Sequence, residues 1–216
     1  MEFIDIPVEQ TTAVTDAVLA VMAIAVIVYL YRIGRGDRWK ATIWIGIFSL
    51  LAIAAALGAV AHGFKMSNAM ETTLWHPLNL SLGLLVAYFV VAVVYDISGE
   101  AASRKIIPLM TLIGAGFFAT TLLWPGSFLL FIIYEAVAML FALAVYIRVA
   151  LRGDLAGAWL LVAGVFTTIV AAGIQASKAV AFDFVWSFDH NGAYHLVQMV
   201  AVVLLVAGLR RSLVSN

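Results

Sequence analysis

Two of the chain's four histidines lie close together in FDHNGAYHLVQM, the stretch from Phe188 to Met199. Asn191 and His195 are spaced i, i+4 and Gln198 follows three residues later, so a helix would present them on one face. His190 and His195 stand more than roughly 100° apart on a regular helix. They can share an ion only if His190 precedes the first turn, with Asp189 or Asn191 as its N-cap. His62 closes one apolar run and His76 opens another. Three neutral imidazoles around a divalent ion, with water in the remaining position, make a hydrolytic zinc site, in which the ion lowers the pKa of that water to about 7. His62, His195 and either His190 or His76 can supply the nitrogens. Glu135, inside an apolar run, can supply a carboxylate as ligand, as the acceptor that holds a histidine tautomer, or as a general base.

The elements that must position these groups are membrane helices. The 216 residues are 65% hydrophobic and 11% charged, whereas soluble domains carry about a quarter charged residues. A bilayer core about 30 Å thick takes roughly 20 apolar residues per crossing. Runs near 11–31, 40–62, 73–95, 104–124, 127–149, 155–181 and 190–209 predict seven crossings in a single domain over 1–216. No run alternates with period two, which argues against a barrel. The amino-terminal MEFIDIPVEQ lacks a basic signal-peptide region, so the first run is expected to stay as a helix. There is no cysteine, and hence no disulfide or thiolate ligand. The scattered basic residues suggest no nucleic-acid surface.

Orientation follows from the short loops. Arg32, Arg35, Arg38, Lys40, Arg104, Lys105, Arg148, Arg152, Arg210 and Arg211 all fall on one side of seven crossings, which makes that side cytoplasmic. Glu2, Asp5, Glu9, Glu71, Asp183 and Asp189 fall on the other, against Lys65 and Lys178. The expected protein is an all-α, seven-transmembrane helix bundle with its amino terminus outside, compatible with a bacterial inner membrane. All four histidines then gather under the outer surface.

Glu135 lies roughly 12 Å along its helix from that surface, at a depth where a carboxylate needs a cavity or a partner. Asp16 can reach the same cavity or sit among headgroups. Thr168, Gln175 and Lys178 form a rough stripe, Lys178 snorkelling or meeting an aspartate. Most tryptophans read as an interfacial belt. Small residues in AIAAALGAVAHG let the second helix pack closely.

A histidine ending the second helix in GAVAHGF, and an aromatic–histidine pair opening the seventh in NGAYHLVQ, resemble the superfamily of alkaline ceramidases and progestin/adiponectin-type receptors, intramembrane zinc hydrolases and their receptor relatives. The resemblance implies His62 and His195 as zinc ligands, and a lipid amide or ester as substrate. Where that family has a serine four residues before the second-helix histidine, this chain has Gly58; where it has a histidine four before the last one, this chain has Asn191. Asn79 is nearest in position to the family's third-helix aspartate. The alternative is a non-catalytic protein that holds a metal, haem between two histidines, or a small ligand in an outward cavity. Membrane lipids are the expected surroundings, and the oligomeric state is left open.

Overall fold

A computed structural model describes residues 2–124 and 128–214. Six helices carry the fold: α1 (Pro7–Ile33), α2 (Arg38–Gly63), α3 (Asn68–Leu123), α4 (Phe128–Arg152), α5 (Ala158–Ser177) and α6 (His190–Val214). Each is long and apolar enough to cross a membrane. Four short strands form two antiparallel pairs, β1 (Glu2–Phe3) with β2 (Phe64–Lys65) and β3 (Phe182–Asp183) with β4 (Ser187–Phe188).

Helix starts follow local chemistry. Pro7 opens α1, where its missing N–H costs nothing. The Asp37 and Ser67 side chains accept from the backbone N–H groups of Lys40 and Met70 and cap α2 and α3. α1 packs on α2, α2 on α3, α3 on α4, α4 on α5 and α5 on α6; contact of α6 with α1 closes the ring. The main core runs through the middle of this ring around Trp44, Tyr146, Leu161 and Leu209.

Among the described residues six helices stand where seven runs were expected: those near 73–95 and 104–124 fall within one 56-residue element, α3, whose backbone is non-helical at Gly99. That helix reverses direction. On one straight helix Gly83 and Gly114 would stand roughly 46 Å apart, yet the carbonyl oxygen of Gly114 lies 2.8 Å from where a Cβ on Gly83 would sit. Tyr88 and Thr111 share a hydroxyl–hydroxyl hydrogen bond of 3.1 Å across the same two arms. The reversal sits at Gly99, whose φ of 78° and ψ of −174° are open essentially only to glycine. Glycine on glycine lets the arms touch backbone to backbone, the small-residue packing expected between membrane helices.

The bundle has two chemically different ends. At the basic end, Lys40 on α2 donates to Asp96 on α3 at 2.5 Å, and Tyr146 on α4 donates to the other Asp96 oxygen at 2.9 Å. Trp39 donates to Ser103, and the Arg104 guanidinium lies 3.5 Å from the Trp39 ring centre. Trp39 therefore packs within the protein. At the histidine end the two strand pairs cover the helix mouths. Phe3 stacks on Phe64, and Phe182 on Phe188.

Candidate functional site

Because α6 packs beside α1, His195, just over one turn inside α6, meets Asp16, between two and three turns inside α1. Its Nε2 lies 3.2 Å from Asp16 Oδ1 and its Nδ1 lies 2.9 Å from Thr15 Oγ1, with His195 buried. The Thr15 hydroxyl has one hydrogen, which it donates to the Thr12 carbonyl at 2.9 Å. The Thr15 hydroxyl thus stands between the Thr12 carbonyl and His195 Nδ1, and Asp16 occupies the other ring nitrogen.

Gly58 on α2 makes room for this pair. A Cβ at that position would fall 2.7 Å from Asp16 Oδ2. The Asp16 carboxyl reaches across from α1 to the face of Gly58.

Asp189 caps α6, accepting from the backbone N–H groups of Asn191 and Gly192 at 3.0 Å each. It also accepts from the Thr12 hydroxyl at 3.3 Å, tying α6 to α1. The expectation of Asp189 or Asn191 as cap resolves to Asp189. His190 is the first residue of α6, half-buried, its Nδ1 3.8 Å from Asp189 Oδ2. His62 Nδ1 lies 2.6 Å from Glu9 Oε2 on α1, and its ring stands edge to face with Trp75.

These groups surround a cavity of about 350 Å³ at the histidine end. Its polar lining is Asp16, His62, Gln175, Lys178, His190, Asn191 and His195; the rest is leucine, alanine, Gly58 and the rings of Trp75, Phe131 and Tyr194. Gln175 donates to Asn191 at 3.4 Å, joining α5 to α6. Lys178 is exposed, and no ion pair to an aspartate is found for it among the described residues.

A smaller crevice of about 60 Å³ lies along the same helices nearer the middle of the bundle. It shares Leu51, Leu82, Phe131 and Tyr194 with the cavity and adds Trp44, Glu135, Thr168 and Gln198. Glu135 is 7% exposed, and among the described residues nothing hydrogen-bonds or ion-pairs with its carboxyl. The Gln198 amide donates to Thr168 at 3.5 Å, while Gln198 Oε1 and Trp44 Nε1 are buried without partners.

The predicted residues therefore divide. His62, His190 and His195 converge on one cavity together with Asn191, whereas Glu135 and Gln198 belong to the crevice beneath. His76 and Asn79 lie apart from both spaces. Trp75, Leu78 and Leu82 line the cavity at helical spacing, and His76 and Asn79, each one residue further on, are rotated roughly 100° away from it. His76 is exposed, edge to face with Phe118, and Asn79 lines neither space.

Among the described residues no group of three or more histidine, aspartate or glutamate side chains is placed to hold a metal ion. His62 Nδ1 meets Glu9, and both nitrogens of His195 have partners in Asp16 and Thr15. Glu9 and Thr15 were invisible as site residues in the sequence. A glutamate in the first turn of a helix reads as a dipole partner, and a threonine beside the interface reads as headgroup contact.

The profile of a family of unknown function, DUF6962, matches residues 11–214, and the chain belongs to that family. No curated protein and no solved structure matches it.

Proposed function

We propose that this is a receptor-like integral membrane protein that binds a small amphipathic molecule in the cavity at its histidine end. In this reading α3 crosses twice, turning at Gly99, so the chain makes seven crossings. The amino terminus is outside and the carboxyl terminus cytoplasmic, as the loop lysines and arginines favour. A bacterial inner membrane is the proposed location. The observation that carries the reading is the cavity itself: a space of about 350 Å³ with polar side chains from α1, α2, α5 and α6 in its lining and an apolar remainder. Binding pockets share that combination of apolar lining and a few placed polar groups.

The test is release. Purified protein is denatured and the freed small molecules are identified by mass spectrometry, beside zinc analysis of the same sample. One small molecule per chain, lost in the cavity-filling variant Ala54→Leu, is the expected result. Stoichiometric zinc lost in both His62→Ala and His195→Ala would instead establish a metal centre.

One observation favours a second reading, hydrolysis of a lipid amide or ester. A buried carboxyl and imidazole, Asp16 and His195, meet beside the cavity, and such a pair can move a proton in general acid–base chemistry once substrate displaces the partner of one ring nitrogen. Turnover of an N-acyl lipid by wild type, abolished in His195→Ala, would establish it.

A further inference from the structure

The crevice below the cavity carries an unanswered carboxyl. Glu135 is 7% and Gln198 9% exposed, and both line a space walled by the rings of Trp44, Phe48, Phe89, Phe131 and Tyr194. The basic end shows how this fold treats a buried acid that serves structure: Asp96 receives both a lysine and a tyrosine. Glu135 receives neither a cation nor a hydroxyl among the described residues. An acid left in such a place is expensive to ionise without a counter-charge. A cation supplied from outside the chain removes that cost, and ring faces attract organic cations when water is excluded.

We infer that the ligand of this protein is an organic cation, a protonated amine whose ammonium enters the crevice between Glu135, Gln198 Oε1 and the aromatic rings while its apolar body fills the cavity above. The size relation fits: about 60 Å³ holds a head group only, and the neighbouring cavity of about 350 Å³ holds the rest. Leu51, Leu82, Phe131 and Tyr194 line both spaces, so the two adjoin. Entry is favoured by charge, since Glu2, Asp5, Glu9, Glu71, Asp183 and Asp189 outnumber Lys65 and Lys178 at that end, and a surface of one sign concentrates ligands of the other. Lys178 is exposed and lies away from the crevice. The inference rests on the cavity-binding reading and names the class of its ligand.

The experiment uses three molecules of nearly one shape, 2-phenylethylamine, 2-phenylethanol and phenylacetate, titrated into the protein in phosphatidylcholine nanodiscs. Wild type is compared with Glu135→Gln and Ala54→Leu, and all are first shown to melt cooperatively. The expected result is binding of the amine alone, weakened about 30-fold or more by Glu135→Gln and abolished by Ala54→Leu. If Glu135→Gln does not fold, Glu135→Asp, which withdraws the carboxyl by one methylene, is expected to weaken the amine selectively. Equal binding of the alcohol or the acid, or amine binding indifferent to Glu135, overturns the cationic class while the cavity reading stands. If none of the three binds, the molecule released from wild-type protein decides: an amine sustains the inference, any other class overturns it, and no released molecule overturns the cavity reading as well.

Discussion

Lys40 with Asp96 at the basic end, and His195 with Asp16 at the histidine end, are both buried pairs of a base and an acid, built to different standards. Lys40 and Asp96 are 3% and 1% exposed, and both carboxylate oxygens are occupied, one by the lysine and one by Tyr146. The pair joins α2, α3 and α4 and leaves nothing for a ligand. His195 and Asp16 join α6 to α1, but one carboxyl oxygen meets the histidine while the other faces the bare Cα of Gly58 beside a cavity. Saturated polar groups fix a structure; unsaturated ones beside a space wait for chemistry.

The largest expected effect breaks the first pair. Asp96→Ala leaves a buried lysine uncompensated and should cost about 3–5 kcal/mol, seen as a large fall in melting temperature in detergent. Lys40→Met combined with Asp96→Leu should recover most of that loss, because removing both charges removes the uncompensated one. If the double variant melts as low as the single, the pair does more than hold helices. Next comes the seat of the second pair. Gly58→Ala should cost about 1–3 kcal/mol through overpacking against Asp16. Adding Asp16→Ala should cost less than the sum of the two single changes, since the clash is then gone; strict additivity in the melts would place Asp16 elsewhere. Asp189→Ala removes the α6 cap and should cost about 1 kcal/mol, measurable as earlier hydrogen exchange in the first turn of α6. The smallest effect belongs to the exposed contact of Lys65 with Asp5 across the β1–β2 pair. Lys65→Ala should change stability by less than about 1 kcal/mol and lose even that in high salt.

How much of this was legible is clearest at α3 and α6. The apolar runs on either side of Gly99 were readable as two crossings from hydropathy alone, but not their union in one helix. The turn is written only as SGE within helix-forming sequence, and the contact of Gly83 with Gly114 and the bond between Tyr88 and Thr111 show the reversal. On α6 the spacing of Asn191, His195 and Gln198 correctly put them on one side. It could not tell that His195 and Gln198 serve different spaces, a matter of depth along the bundle. His76 lies at the same end of the bundle as the other histidines, but helix rotation turns it away from the cavity that they line.

The sequence alone determined that the chain is helical and oily, where its helices run to within a few residues, which end is basic, and that histidines from distant segments lie near one level. These follow from composition and period, which are local properties. Only the tertiary structure decided which partners those side chains keep: Glu9 for His62, Asp16 for His195, and no partner among the described residues for Glu135. Pairing depends on the rotation and depth of each helix against its neighbours, and those are set by packing among all six helices, which no single stretch of sequence encodes.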